Sequence, residues 1–284
     1  LLPDSCSAGT ISGKITDAVN GAAVGGVNLY YRKGYNKSSG DWNVFATSDS
    51  SNGTYSKSNM SAGWYYIKGT KSGYYDDYFN VLACGDQLNQ NNSMTTVLNV
   101  DEMRIVLSWP KTTPVTGVDL DSHISIPDND STGTFHLYYD VDVQGCTGIC
   151  DYYVYGAGDN VTLDWDDDHT TAPPGKETIT ILSGAATKVR SGTFSYSVHN
   201  FTDKGENTAN YKTNLSKSRA KVKVFYCPLG SDCNNEWSVV RKRFHVPNDN
   251  GTLWRVFTFD SSGSGSGFTR VQDMTYESTT ANVY

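Results

Sequence analysis

Apolar and polar residues alternate along most of this chain, and no segment holds a helical period for three turns. The first run, Ile11-Ser12-Gly13-Lys14-Ile15-Thr16, alternates and stops at Asp17. Residues 27–31, 44–47, 53–56 and 63–68 repeat the pattern, with turn residues between them. A two-residue period sends successive side chains to opposite faces, so each run predicts a half-buried strand. After a junction at 99–103, nine further runs follow, at 104–109, 118–126, 135–139, 161–164, 178–182, 192–198, 220–226, 237–246 and 252–258. Short strands at this spacing predict an all-β chain of two tandem β-sandwiches. The expected boundaries are an extension over 1–7, one sandwich over 8–98 and an immunoglobulin-like or jelly-roll-like sandwich over 103–260. Residues 261–284 then read as a Gly/Ser tether and a terminal strand.

Two resemblances sharpen this division. The segment Gly9–Asp17, with 23–30, 47–55, 61–65 and Gly73-Tyr74, resembles the carboxypeptidase regulatory-like family. That likeness implies a transthyretin-like sandwich serving as an accessory or structural module, without catalysis. Asn52-Gly53 fits a tight hairpin turn within it. The second half carries Leu107-x-Trp109, Asp119-Leu120-Asp121-Ser122-His123, His136 and Leu163-Asp164-x-Asp166-Asp167. It also carries Glu177-Thr178-Ile179-Thr180-Ile181 and Gly192-Thr193-Phe194-x-Tyr196. This set resembles an uncharacterised bacterial β-domain family found in surface and periplasmic proteins. Where that family reads Gly-Pro-Glu, this chain has Gly175-Lys176-Glu177. The likeness implies a fold and little about function.

Composition narrows the class. The net charge of −7 argues against a nucleic-acid partner, which needs a basic footprint. The cationic runs Lys221/Lys223 and Arg241-Lys242-Arg243 lie in strand-like segments and read as solvated faces. No apolar run approaches the ~20 residues of a membrane-spanning helix. The chain has neither an initiator Met nor a signal peptide, which reads as a processed or partial form. Six cysteines form an even set, and their grouping suggests Cys6–Cys84, Cys146–Cys150 and Cys227–Cys233 among fifteen arrangements. The spacings suit zinc poorly, since no Cys-x2-Cys pair exists. Disulfides imply an oxidising, extracellular setting.

Nine Asn-x-Ser/Thr sequons point the same way, at Asn36, Asn52, Asn59, Asn91, Asn129, Asn160, Asn200, Asn214 and Asn250. Such triplets accept N-linked glycans only when secreted and exposed. A glycan coat would confine neighbours to bare surfaces and chain ends.

The candidate chemistry is acidic. Asp119, Asp121 and His123 alternate on one strand and share a face; Asp164, Asp166 and Asp168 form a second alternating set, beside His169. Were the strands neighbours, their oxygens would suit Ca2+, while the histidines would favour a transition metal. The competing reading is that these residues cap turns and fix strand ends. Neither Asp164–Gly175 nor Asp128–Tyr139 meets the EF-hand pattern. No Gly-x-Ser-x-Gly elbow accompanies the five histidines, His123, His136, His169, His199 and His245, so no catalytic residues are assigned and no cofactor is required. The aromatic runs Trp64-Tyr65-Tyr66, Tyr74-Tyr75, Tyr78 and Tyr152-Tyr153-Tyr155 serve strand packing or a sugar-stacking platform.

The chain ends complete the picture. Leu1 and Leu2, and Phe268, Val271, Met274 and Tyr276 on the terminal strand, are candidate assembly residues. The terminal strand folds back on its own sandwich or adds to a neighbour's sheet. The sequence therefore reads as a non-enzymatic extracellular structural glycoprotein. Its partners would be copies of itself, joined into a surface fibre or pilus-like filament by donated strands. The alternative is a secreted Ca2+- or carbohydrate-binding module of a monomeric surface protein.

Overall fold

The computed structural model describes residues 6–110, 117–127, 133–139, 161–167, 175–181, 191–205, 214–262 and 267–283, and the backbone alone at 153–154. Two compact units result, Leu1–Val97 and Leu98–Tyr284. Both are built of paired β-sheets, so the chain is nearly all β, as its periodicity predicts.

In the first unit the strands are β1 (Gly9–Asp17), β2 (Asn28–Lys33), β3 (Asn43–Thr47), β4 (Thr54–Met60), β5 (Gly63–Thr70), β6 (Asp77–Ala83) and β7 (Asn92–Met94). They form a β4-β1-β7 sheet and a β3-β2-β5-β6 sheet. Inward residues of both, among them Ile11, Ile15, Leu29, Phe45, Tyr65, Ile67 and Phe79, make one apolar core. The predicted runs missed β6 and β7; β7 has three residues and pairs parallel with β1 at Ile15↔Asn92, too short to show a period. The Asn52-Gly53 turn is real: Gly53 sits at φ 71°, and an added Cβ would lie 2.6 Å from the Ile15 carbonyl oxygen. Glycine alone tolerates both demands. Cys6 and Cys84 are bonded, their Cα atoms 4.4 Å apart.

The second unit holds β8 (Met103–Trp109), β9 (Leu120–Pro127), β10 (Thr134–Leu137), β11 (Tyr153–Val154), β12 (Val161–Trp165) and β13 (Gly175–Ile181). After them come β14 (Thr193–Asn200), the short helix α1 (Asn214–Lys217), β15 (Lys221–Tyr226), β16 (Val240–His245), β17 (Leu253–Asp260) and β18 (Phe268–Thr275). One sheet runs β11-β12-β13-β8-β15-β16 and the other β10-β9-β14-β17-β18. Ile105, Leu107, Trp109, Ile124, Ile179, Tyr196, Val222, Trp254 and Phe257 fill the core. Burial of such side chains is worth roughly 1.5–3 kcal/mol each. Cys227 and Cys233 are bonded with Cα atoms 5.6 Å apart; Cys146 and Cys150 lie outside the described residues.

Gly175 is set by packing rather than by a turn. It pairs with Trp109 across β13 and β8, and an added Cβ would fall 1.9 Å from the Trp109 ring. The next residue, Lys176, donates its backbone N–H to Asp167 Oδ2 at 3.1 Å. A proline there, as in the resembled family, would lack that donor.

The terminal strand is part of its own unit. β18 pairs antiparallel with β17, from Leu253↔Thr275 to Phe259↔Phe268, and forms the edge of its sheet. Phe268 and Met274 pack against the core, whereas Val271 and Tyr276 remain exposed. Leu1 and Leu2 lie outside the described residues.

Candidate functional site

The alternation of β9 sends Leu120, Ile124 and Ile126 into the core and turns Asp121 and His123 to the other face. β14 lies beside it, with His199 directly opposite Asp121 and Ser197 opposite His123. Cross-strand partners share a face at close range. Hence Asp121, His123 and His199, 78 residues apart at the extremes of the chain segment they span (121 to 199), meet on one patch of sheet. Their candidate ligand atoms all lie within 4.8 Å of one another.

This patch is not solvated. Asp121 is 4% exposed, His123 1% and His199 0%. The chain end explains part of this burial. Beyond β18 the Glu277 carbonyl oxygen lies 3.0 Å from His199 Nε2, and Thr252 Oγ1 ties the same residue down through Glu277 N and O. Tyr276 donates its hydroxyl to the Lys204 carbonyl. On the other flank, His136 Nε2 lies 2.9 Å from His123 Nδ1, and the ring of Tyr138 stacks on both.

The carbonyl contact defines one tautomer. His199 has a carbonyl at Nε2, so Nε2 carries the proton and Nδ1 keeps a lone pair. His123 Nδ1 and His136 Nε2 share a hydrogen bond that either ring can donate; in the tautomer where His123 donates, its own Nε2 keeps a lone pair. Asp121 Oδ2, His123 Nε2 and His199 Nδ1 are buried and find no hydrogen-bond partner among the described residues. Burial, then the neighbouring His136 and His199, hold His123 well below the usual imidazole range. Burial likewise lowers His199, opposed by the Glu277 carbonyl.

Carboxylates crowd the same region. Burial first, then Asp119 and Asp166, push Asp121 well above the usual carboxylate range, and Lys204 opposes them. Glu177 rises for the same reasons: burial, then Asp166 and Asp121. It reaches from β13 to accept the Ser122 backbone N–H and shares a hydrogen bond with Asp166.

The predicted acidic set is thus divided. Asp119, Asp121 and His123 stand together, as alternation requires. Asp164 does not join them: it accepts from Thr162 and Thr180, beside the Glu102–Arg104 ion pair. The cause is an irregularity in β12, where Leu163 pairs with Ile179 but Trp165 with Thr178. The extra residue keeps Asp164 with Thr180 and turns Asp166 toward Glu177. Asp168 and His169 lie outside the described residues. His199 and Glu177 belong to the cluster but not to the predicted set. Alternation of Phe194, Tyr196 and Val198 signals that His199 faces away from the core; only the β9–β14 pairing shows what it faces.

The aromatic runs are divided as well. Tyr65 and Tyr75 are core residues. Tyr66 and Tyr78 instead stack at 5.6 Å on the outer face of the first unit, with Trp42 6.0 and 6.2 Å away. The Arg32 guanidinium covers Trp42 at 4.0 Å, and the exposed Trp64 meets Tyr35 edge-on at 5.0 Å.

Among the sequons, Asn36, Asn52, Asn59 and Asn250 are exposed, and Asn91 and Asn214 half-buried. Asn200 is 0% exposed, and its Nδ2, the atom a glycan would take, donates to Asp203 Oδ2 at 2.7 Å. A glycan has no room there in the folded unit. Asn129 and Asn160 lie outside the described residues.

No family model matches the chain, and no curated protein matches it. Solved structures do. A type II cohesin–X-dockerin complex from Acetivibrio cellulolyticus matches at 21% identity and TM-score 0.24, over 31% of this chain and 58% of that one. The chain therefore spans little more than half of that neighbour's length. The full-length major pilin SpaD of Corynebacterium diphtheriae matches at 14% identity and TM-score 0.28, over 89% of this chain and 67% of that one. A putative carbohydrate binding protein from Bacteroides uniformis matches at 12% and 0.26, over 68% and 89%. At such identities and TM-scores nothing about this chain's fold or activity is taken from these neighbours.

Proposed function

We propose that this chain is a non-enzymatic, extracellular structural glycoprotein: a subunit of a surface fibre whose protomers exchange their last strand. The observation that carries this reading is the placement of β18. It occupies a sheet edge, follows a Gly/Ser-rich run at 261–267, and contributes Phe268 and Met274 to a core made by the rest of the unit. A strand of that kind can be delivered by the same chain or by a neighbour with identical contacts, the usual route of strand exchange. A head-to-tail exchange propagates an open filament. Two disulfides and exposed sequons fit an oxidising, extracellular setting.

The test uses the register. Arg255 on β17 pairs with Asp273 on β18. In an Arg255→Cys/Asp273→Cys variant, oxidation after assembly joins one chain to the next if strands are exchanged. A ladder of covalent oligomers on a non-reducing gel is the expected result. Filaments that contain only internally linked monomers would refute the exchange.

The alternative reading, a secreted carbohydrate-binding module, is supported by the Trp42–Tyr66–Tyr78 platform with its Arg32 cover. Aromatic faces beside a cation suit the apolar faces and hydroxyls of sugars. On this reading Trp42→Ala abolishes retention on a glycan array, while the fold survives.

A further inference from the structure

We propose that Asp121, His123 and His199 form a binding site for one divalent metal ion of the zinc class, with two imidazole nitrogens and one carboxylate oxygen as protein ligands. Three independent features of the site lead there.

The first is the donor set. One candidate ligand atom from each of Asp121, His123 and His199 lies within 4.8 Å of the other two. Metal–ligand bonds of ~2.0–2.2 Å put two ligands at most about 4.4 Å apart. Small side-chain adjustments therefore close this set around an ion. The second is the lack of any other use for these atoms. Asp121 Oδ2, His123 Nε2 and His199 Nδ1 each belong to a side chain more than nine-tenths buried and have no hydrogen-bond partner among the described residues. Leaving a buried acceptor unsatisfied costs about 1–3 kcal/mol, and three such atoms on neighbouring side chains call for a common partner.

The third is the outer layer. Metal-bound histidines donate their remaining ring N–H to a carbonyl, carboxylate or similar acceptor, which fixes the ligating nitrogen. His199 does this through Nε2 to the Glu277 carbonyl, and the His123 Nδ1–His136 Nε2 contact lets His123 do the same when it donates. His199 thus keeps its Nδ1 lone pair, and ion binding selects the His123 tautomer that frees Nε2. The surrounding carboxylates, Asp119, Asp166 and Glu177, supply negative potential that a dication offsets.

The chemistry selects the ion class. Ca2+ takes six to eight oxygen ligands. Two of these three donors are imidazole nitrogens, which suit zinc and its neighbours in the first transition row. Asp164, needed for an oxygen-rich cage, is engaged with Thr162 and Thr180. Because His199 belongs to β14 and Glu277 follows β18, a bound ion would clamp β9 to β14 and hold the chain end over both.

The experiment takes the full chain, stripped with a chelator, and titrates it with Co2+ as a spectroscopic probe. The expected result is a visible d–d band that saturates at one equivalent and is erased by Zn2+, together with a rise in Tm on adding Zn2+. Asp121→Asn keeps the side-chain volume, and His199→Ala removes a ligand; each should weaken Co2+ binding at least tenfold. His245→Ala, outside the cluster, should leave it unchanged. Circular dichroism establishes that each variant is folded, and Asp121→Asn carries the test if His199→Ala is not. A folded wild-type chain with neither band nor Tm shift would overturn the proposal. So would a band of full strength in Asp121→Asn, or Ca2+ binding as tight as Zn2+.

Discussion

His136 stacks on both Tyr138 and His123, and burial holds it at about 4, below the ordinary imidazole value. His123, more deeply buried, is held lower than its usual range as well. The consequence for stability has a definite sign. In the unfolded chain these rings take up protons near pH 6.5, and in the folded chain they do not. Their stabilising contribution is complete above about pH 6.5 and is lost as pH falls toward about 4. Asp121 and Glu177, both raised, act in the opposite direction and weaken the fold as pH rises through their shifted values. Denaturant melts of wild type and His136→Asn across the window separate the two. The variant should lose stability less steeply on acidification; an unchanged slope would show that His136 does not contribute. At the same scale, glycopeptide mapping of secreted, folded protein should find Asn200 unmodified, because its Nδ2 is committed to Asp203.

At the scale of the element, strand periodicity was informative wherever regular pairing holds. It failed where pairing slips. In β12 a single extra residue separates Asp164 from Asp166, so a sequence pattern that places both on one face misassigns one of them. The same rule makes Gly175 testable. Its register partner Trp109 is 2% exposed and donates its indole N–H to the Val118 carbonyl, so the ring cannot retreat. Gly175→Ala should cost about 1–3 kcal/mol through overpacking, read as a lower denaturation midpoint. β18 illustrates a different limit. Its alternating pattern predicts a strand, but only the pairing with β17 places it on the sheet of its own unit.

For the whole molecule, the two units differ in how they are stapled. Cys6–Cys84 closes a loop with a sequence separation of 78 residues. Cys227–Cys233 closes one of 6. In the chain-entropy view the long loop contributes about 4–5 kcal/mol. A Cys6→Ser/Cys84→Ser variant should therefore destabilise the first unit by about 2–5 kcal/mol, measured by denaturant unfolding under non-reducing conditions. Opening the second disulfide should cost less. A larger loss from the short loop would mean that native strain or residual unfolded structure outweighs loop entropy here.

Periodicity, turn residues and cysteine grouping by themselves determined that this chain is all β, and that Asp121 and His123 share a face. Those features are local: a strand's two-residue period and a turn's backbone demands are written within a few positions. They also placed Asn52-Gly53 at a turn that only glycine completes. Tertiary structure alone decided that His199 faces Asp121, that Glu177 comes from the opposing sheet, and that the chain end buries the site. It also decided that Asn200 is closed to glycans and that Asp164 leaves the acidic cluster. Each depends on which strand lies beside which, and in what register. Alternation constrains the face a residue presents; it carries no information about the distant strand that will stand across from it.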